Sequence, residues 1–327
     1  MSAPKPTTRL APSPTGALHL GNARTFLVNW VLARRNGWRI LLRIDDLDGP
    51  RIKPGADLQA IEDLRWLGLD WDAEAPRPSA RAPRHREALQ MLLDRGSVYP
   101  CVCTRSEIER AATVDARREP DGAVQYPGTC LGRFRSREEA LQSTGRKPAM
   151  RFHVPAREVS FDDSFHGRTN FAGGRDLGDF VVQKADGEFA YQLATVVDDA
   201  DAGVTHVIRG DDLMASTFRQ LLVHEALGLQ NQTPHYMHLP LIIGTDGRKL
   251  AKRHGDTRLR QLREEGVTAG QVRRQLALWS GWTPAGPEAS MNEWLNRFDL
   301  THMPREAVVY DDARQRPTPF AAARGAS

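Results

Sequence analysis

The chain of 327 residues has an ordinary globular composition, with 40% hydrophobic and 26% charged residues, and its length predicts two or three domains. It contains no apolar run of membrane length and no apolar stretch near its start, so we expect a cytoplasmic protein without membrane contact. Its formal net charge of +4 permits a polyanionic partner without requiring one, and its three cysteines imply no disulfide framework.

Residues 9–22, RLAPSPTGALHLGN, predict a strand, a tight loop and the start of a helix. A short β-like run at 8–10 is interrupted by Pro12 and Pro14, which cannot continue a ladder or a helix. Apolar residues four positions apart then indicate a helix that ends at Gly37. Such a loop directs helix-start N–H groups at the carboxyl edge of a sheet, where phosphates bind. The same short pattern also fits an ordinary loop with a packed histidine.

Strand and helix patterns alternate in the first third of the chain. An apolar strand at 38–44 ends at Asp45-Asp46, and helical patterns follow at 57–67 and 84–94. This alternation predicts the α/β class with a doubly wound parallel sheet. From residue 99 a cysteine-bearing loop, a polar stretch and short strand-like pieces predict an insertion that splits this fold.

A hairpin pattern returns the chain to the sheet, with strands at 181–184 and 188–191 around Ala185-Asp186-Gly187. The later predicted elements are a strand at 205–208 and helices at 216–227, 268–278 and 291–298. The predicted domains are a nucleotide-binding half at 6–98, the insertion at 99–185, a second half at 186–244, a lysine-bearing loop with a short helical region at 245–312, and a disordered tail at 313–327.

Two of the chain's six lysines, Lys249 and Lys252, lie in one tetrapeptide, KLAK, directly after a turn at 245–247. Arginine is otherwise the dominant cation, so this clustering suggests a site that requires compact ammonium groups, although the two residue types share many surface roles. The turn places the lysines on a hairpin that could close over a bound anion.

The tetrapeptides HLGN at 19–22 and KLAK at 249–252 resemble the two signature motifs of class I aminoacyl-tRNA synthetases. The surrounding segments are similar to the glutamyl branch of that family, in the expected order from about Arg9 to Trp282: RLAPSPTG, LLRIDDLD, FAYQLATVVDD, VTHVIRGDDL and HLPLIIGTDGRKLAKRHGD. The resemblance implies a Rossmann-like doubly wound parallel sheet, split by an insertion and followed by a short helical stem-contact region. It also implies ATP-dependent activation of L-glutamate, with Mg²⁺.

The resemblance assigns the ATP contacts to the two motifs. Attack of a carboxylate on the α-phosphate builds negative charge in the transition state, and preorganised donors are usually the largest catalytic contribution there. Gly21 would admit the nucleotide closely, and Lys252 would carry most of the charge stabilisation. Asn22 stands where many members have histidine, and Ala251 where serine is common. The implied ATP residues are His19, Gly21, Asn22, Lys249 and Lys252.

A glutamate pocket needs cations for the substrate carboxylates and an anion for its ammonium group, and arginine binds carboxylates bidentately. Asp45 stands where the family usually has glutamate for the ammonium, so the pocket is tighter or the affinity lower. A structural ion pair is the alternative for any one of these residues taken singly. The residues that the resemblance implies for glutamate are Arg9, Ala11, Ser13, Asp45, Tyr191 and Arg209.

All three cysteines, Cys101, Cys103 and Cys130, lie within thirty residues of one another. Structural zinc takes four ligands, usually thiolate or imidazole, from short segments, so the cluster predicts one structural Zn²⁺. The resemblance implies Tyr126 as the fourth ligand, with Asp121 or water as alternatives. Three small buried cysteines without a metal are the other interpretation.

The acceptor is predicted from the short stretch after Lys252, which cannot hold the anticodon-reading domain of a full-length glutamyl enzyme. We expect the truncated branch of the family, which activates glutamate without tRNA and esterifies it to queuosine at the wobble position of tRNA(Asp). The predicted partners are L-glutamate, ATP and the queuosine-bearing anticodon loop of tRNA(Asp), and the predicted state is a monomer. The alternatives are a glutamate–tRNA(Glu) ligase fragment, a catalytically silent tRNA-binding module and, more distantly, a small-molecule nucleotidylyltransferase.

Overall fold

The computed structural model describes residues 5–47, 49–111, 118–120, 122–250 and 256–319. The helices of this part are α1 (Leu20–Arg35), α2 (Ala56–Trp66), α3 (Ala82–Asp94), α4 (Arg105–Ala111), α5 (Arg137–Thr144), α6 (Tyr191–Asp201), α7 (Met214–Leu227), α8 (Leu259–Glu264), α9 (Ala269–Leu278), α10 (Met291–Arg297) and α11 (Asp312–Gln315). The strands are β1 (Thr7–Leu10), β2 (Arg39–Leu42), β3 (Ala73–Glu74), β4 (Val98–Cys101), β5 (Ala149–Phe152), β6 (Glu158–Asp163), β7 (Gly167–Ala172), β8 (Phe180–Gln183), β9 (His206–Gly210), β10 (His235–Leu239), β11 (Ile242–Gly244) and β12 (Val308–Tyr310). None of these helices is both long and apolar enough to cross a membrane.

The chain packs into two compact units. The first contains the residues up to Ala75, the segment Ile208–Asp211 and the residues from Leu239 onward; the second contains Pro76–Val207 and Asp212–His238. The predicted bounds at 98 and 185 are not borders of either unit. This division places α3 in the same unit as the predicted insertion, whereas the sequence prediction put it in the first nucleotide-binding half.

The first unit is built on a parallel sheet in the order β1-β2-β3. Leu10, Ile40 and Leu42 are at most 2% exposed, and Leu41 between the last two is buried as well. Consecutive buried residues indicate a strand covered on both faces, as parallel strands are. Helix α1 connects β1 to β2 and stops before Gly37, whose positive φ of 65° favours glycine. The predicted α/β class with a parallel sheet is confirmed.

Two element predictions are wrong. Tyr191, expected at the end of a hairpin strand, is the first residue of α6, because pairing after the turn is limited to the Gln183–Phe189 bridge. The tail, expected to be disordered from residue 313, forms the short helix α11, whose first turn is capped by the carboxylate of Asp311. Residues 320–327 of that prediction lie outside the described part of the chain.

A buried polar cluster joins three elements of the second unit. The Asp163 carboxylate of β6 accepts from Nδ1 of His238 on β10 at 2.7 Å, and Nε2 of His238 lies 2.9 Å from the hydroxyl of Thr217 on α7. All three side chains are at most 3% exposed. The order carboxylate, imidazole, hydroxyl resembles a nucleophilic triad, but full burial denies a substrate access to the hydroxyl. We interpret the cluster as a structural clamp.

We predict that Asp163→Asn lowers the free energy of unfolding by about 3 kcal/mol. Both carboxylate oxygens accept N–H groups, from Phe165 and His166 on one side and from His238 on the other, so an amide nitrogen would face donors. The matched control is Asp162→Asn at the neighbouring exposed carboxylate, expected within about 0.5 kcal/mol of the parent. Urea denaturation measures both.

The same cluster sets a pH dependence. Burial alone would raise the pKa of Asp163, but the hydrogen bonds from His238 and the backbone outweigh it and hold that pKa below its usual range. Its contribution is therefore complete above about pH 4 and is lost as the pH falls through the lowered folded-state value. Equal acid destabilisation of the parent and of Asp163→Asn would contradict this assignment.

Candidate active site and candidate metal site

A cavity of about 570 Å³ lies in the first unit beside the start of α1. Its wall includes residues 15–17 and His19 from the loop before α1, and residues 53–56 at the start of α2. Leu250 of the lysine motif and residues 256–258 beyond it also line the cavity, together with Gln59 and Arg260. The cavity therefore brings the flanks of both signature motifs to one place.

Backbone pairing joins the first motif to residues 257–259, which follow the lysine motif in the chain. The N–H of Leu20 donates to the carbonyl of Thr257 at 3.0 Å, and the N–H of Leu259 donates to the carbonyl of Leu18 at 2.9 Å. His19 thus lies opposite Arg258 in an antiparallel bridge and precedes the first turn of α1. The positive end of the helix dipole is directed to the same place, which favours a bound anion.

Gly21 has a packing reason to be glycine. A Cβ built on it would lie 3.2 Å from Cε1 and Nδ1 of His19 and 3.7 Å from the Cβ of Ile242. The sequence prediction was that Gly21 admits the nucleotide, and that role stays a prediction. The structure adds that glycine leaves room for the His19 imidazole over the helix start, whereas the contact with Ile242 is of ordinary length.

The lysine hairpin begins at β11 and returns antiparallel to it. Leu250 donates its N–H to the carbonyl of Ile242 at 3.1 Å, and Lys249 lies opposite Ile243. The turn is closed at Gly247, whose φ is 72°. The Lys249 side chain is exposed, whereas Leu250 is buried and faces the cavity. Ala251 and Lys252 lie outside the described residues.

Three cationic residues of the cavity wall were not found by the sequence analysis, namely Lys53, Arg258 and Arg260. Arg258 is paired with Asp256, whose carboxylate accepts its Nε–H at 2.6 Å, and this bond lowers the pKa of Asp256. The alternation of Arg258 and Arg260 just after the lysine motif was the available signal. Together with the helix dipole, these charges make the cavity suited to a polyphosphate.

Four of the six residues predicted to bind the substrate glutamate lie at the carboxyl end of the parallel sheet. Arg9 is buried on β1, and the Asn29 side chain of α1 donates to its carbonyl at 3.0 Å. Asp45 donates its backbone N–H to the carbonyl of Pro12 at 3.1 Å, so it lies beside the loop that contains Ala11 and Ser13.

The Asp45 carboxylate is already bound by a buried cation. Nε of Arg43, a residue that is 2% exposed, donates to Oδ1 of Asp45 at 2.6 Å, and a second nitrogen lies 3.4 Å from Oδ2. The sequence analysis missed Arg43. The Arg43 guanidinium sets the orientation of the Asp45 carboxylate, and a substrate ammonium would have to share that carboxylate with it.

The other two residues predicted to bind the substrate glutamate belong to different units. Arg209 is buried on β9 in the first unit, and Tyr191 begins α6 in the second. Helix α6 is fixed within its own unit because Asp198 accepts from Arg81 at 2.6 Å and lies 2.8 Å from Nε2 of buried His85. The convergence of Tyr191 with the two arginines stays a prediction.

The three cysteine sulfurs lie within 4.8 Å of one another in the second unit. The Cys103 and Cys130 sulfurs are 3.5 Å apart, and the Tyr126 hydroxyl lies 3.3 Å from Cys101 Sγ and 3.5 Å from Cys103 Sγ. Zinc bonds of about 2.3 Å to sulfur and about 2.0 Å to oxygen place the ligand atoms of a tetrahedron about 3.5–3.8 Å apart. The residues therefore fit a zinc ion, with Tyr126 as the oxygen ligand. Asp121, the alternative ligand, lies outside the described residues.

The surroundings hold Tyr126 in this position. The guanidinium carbon of Arg151 lies 3.9 Å from the centroid of its ring, and the Cys130 N–H donates to its oxygen at 2.9 Å. Burial raises the pKa of Cys103 to about 11 and also raises the pKa of Tyr126. Both groups thus keep their protons at neutral pH until a cation displaces them.

Residues 5–313 match the family model described as tRNA synthetases class I (E and Q), catalytic domain, and the chain belongs to this family. It is 46% identical to a Glutamyl-Q tRNA(Asp) synthetase of Rhodopirellula baltica, over 93% of this chain and 96% of that protein. A protein of the same name from Symbiobacterium thermophilum is 45% identical, over 92% and 94%. The crystal structure of a glutamate tRNA ligase from Elizabethkingia meningosepticum, solved with its amino acid, superposes with a TM-score of 0.77 at 29% identity, over 94% of this chain and 67% of that one.

We predict that Tyr126→Phe weakens zinc retention by about tenfold or more, since it removes one of four ligands. Zinc per protein after titration with a chelator measures this, and Co²⁺ substitution adds a thiolate charge-transfer band. The matched control is Tyr99→Phe, which removes a phenolic hydroxyl from the same hydrophobic cluster. The Tyr99 hydroxyl donates to Asp179 and is not a predicted zinc ligand.

Full zinc retention by Tyr126→Phe, with loss in Cys130→Ser, would transfer the fourth position to another ligand. A parent protein that binds neither zinc nor cobalt would leave the three cysteines as a buried apolar cluster.

Proposed function

We propose that this chain activates L-glutamate with ATP in the absence of tRNA and transfers the glutamyl group to queuosine at the wobble position of tRNA(Asp). The observation that carries the activation step is the single cavity flanked by both signature motifs, with the antiparallel bridge between His19 and Arg258 at its wall. The acceptor is supported by the names of the relatives at 45–46% identity. The expected cytoplasmic location and monomeric state are parts of this proposal.

The activation step needs positive groups where charge develops. As the glutamate carboxylate attacks the α-phosphate, negative charge grows on the phosphate oxygens, and donors fixed beforehand stabilise it. In the proposed assignment His19 and the N-terminus of α1 contact the triphosphate from one wall. Lys249 and Lys252 of the lysine motif would supply two further cations, and Arg258 would add another from its position opposite His19. Mg²⁺, carried mainly by the phosphates themselves, would neutralise part of their charge.

Glutamate recognition is assigned to the end of the parallel sheet. Arg9 and Arg209 would bind the substrate carboxylates as bidentate donors, and Tyr191 would contact the substrate from α6. Asp45 would accept the α-ammonium in an orientation set by Arg43. The side chain of Asp45 is one methylene shorter than glutamate, so the ammonium has to approach the sheet more closely than in most family members.

The cysteine cluster has a structural part in this proposal. A zinc ion held by Cys101, Cys103, Tyr126 and Cys130 would tie β4 to the segment that contains Tyr126 and Cys130. We propose that this part of the second unit contacts the tRNA, where arginines bind phosphates and make the affinity salt-dependent. The modified base would supply the specificity.

A second candidate is ligation of glutamate to tRNA(Glu). The superposition with a glutamate tRNA ligase at 29% identity supports it, because the same catalytic domain serves that reaction. The two candidates share the adenylation step and differ in the acceptor alone.

The deciding experiment supplies labelled glutamate and ATP to the protein with three purified acceptors: tRNA(Asp) with queuosine, tRNA(Asp) without it, and tRNA(Glu). We expect label on queuosine-containing tRNA(Asp) alone, and glutamate-dependent exchange of pyrophosphate into ATP without any tRNA. Label on tRNA(Glu) would favour the second candidate. Absence of both label and exchange from folded protein would overturn the proposal in favour of a silent tRNA-binding module.

We predict that Lys252→Ala reduces glutamate-dependent pyrophosphate exchange by about a hundredfold or more, because it removes one transition-state donor. The matched control is Lys147→Ala, which removes an exposed lysine of the second unit and should leave exchange unchanged. Unchanged exchange in Lys252→Ala would exclude this lysine from the mechanism.

A further inference from the structure

The segment 308–316 contacts the lysine hairpin on its upstream side. Strand β12 pairs in parallel with β11, with Val308 opposite Ile242 and Tyr310 opposite Gly244. The N–H of Val308 donates to the carbonyl of Leu241 at 2.9 Å. Because Lys249 lies opposite Ile243 on the other edge, β11 is held between the lysine-bearing strand and the segment 308–316.

The same segment contacts the described residues that follow the lysine motif. A terminal nitrogen of Arg316 donates to the backbone carbonyl of Asp256. The carboxylate of Asp256 in turn binds Arg258, which lines the cavity opposite His19. One arginine is thereby connected, through two successive bonds, to the wall at which both motifs meet.

Arg316 is itself tightly fixed. One terminal nitrogen lies 2.8 and 3.0 Å from the two carboxylate oxygens of Glu265, and the other lies 3.5 Å from Asp312. The side chain of Arg316 is 19% exposed, whereas that of Arg314 is 85% exposed and is 3.5 Å from Asp311. Arg316 and Arg314 therefore differ sharply in exposure and in the number of groups that they bind, although they are two positions apart.

We propose that the segment 308–316 braces the described residues that precede and follow the lysine motif, and that Arg316 is a positioning residue for the wall of the ATP cavity. The proposal rests on the proposed function for its kinetic consequence, and its structural part rests only on the strand pairing and the hydrogen bonds of Arg316 described above. Without Arg316, the Asp256 carbonyl loses a charge-assisted donor. We expect the nearby hydrogen bond from the Leu259 N–H to the Leu18 carbonyl to open more often as a result.

The brace acts on the transition state more than on the bound substrate. Donors stabilise developing charge only when they are held beforehand in the productive geometry, and small displacements are costly. Arg316 touches none of the residues assigned to glutamate in the described structure. Its loss should therefore lower kcat for adenylation while leaving KM for glutamate unchanged.

The test compares Arg316→Gln with the matched control Arg314→Gln in the full chain. Hydrogen exchange should speed up about tenfold at the amide of Leu259 in the first variant and remain at the parent rate in the second. Pyrophosphate exchange should show kcat lowered about tenfold with KM for glutamate within about twofold. Arg316→Lys keeps the charge beside Glu265 and should recover part of both changes.

Several outcomes would overturn the proposal. These are an unchanged Leu259 exchange rate in Arg316→Gln, equal effects in Arg314→Gln, or a KM for glutamate that rises in step with the loss of kcat. If Arg316→Gln lowers the unfolding midpoint and speeds hydrogen exchange equally at all amides, Arg316 contributes to general stability and is not a positioning residue. If the parent shows no glutamate-dependent activation, the proposed function fails, and the exchange rate at Leu259 still decides whether the brace exists.

Discussion

The antiparallel pairing of residues 18–20 with residues 257–259 is the constraint on which the candidate active site depends. It joins two segments more than two hundred positions apart, and it sets His19 opposite Arg258 at the start of α1. Residues from both sides of this pairing line the cavity. Gly21 leaves room for the imidazole of His19, and Leu250 of the lysine hairpin lines the same cavity.

Two of the buried or partly buried carboxylates among the described residues are each paired with a basic side chain. Arg43 accompanies Asp45, and His238 accompanies Asp163, each in a setting where an isolated ion would be strongly disfavoured. Beside the cavity Asp256 also binds Arg258, in this case with both side chains partly exposed. A triphosphate would add negative charge to a wall that already has excess positive charge, and this would favour its binding there.

The sequence analysis found the elements well where the pattern is local. The helix that ends before Gly37 and the buried strand that precedes Asp45 follow from residue spacing, because helices and strands are stabilised by neighbours three, four or two positions away. It missed α6 because the hairpin signal before it is equally local and stronger. It missed α11 because a four-residue helix has no periodicity and exists through the Asp311 cap and the contacts of Arg316.

The sequence by itself determined which chemical groups are present and in what order: the two motifs, the three cysteines and the family to which they belong. Only the tertiary structure decided which groups meet. Nothing in the spacing of Arg316 indicates that it reaches the carbonyl of Asp256. The resemblance predicted Tyr126 as a partner of the cysteines, but only the structure gives the distances of its hydroxyl from Cys101 Sγ and Cys103 Sγ, 3.3 and 3.5 Å. The physical reason is that a donor or a cation has many possible partners, and the packing of distant elements selects one of them.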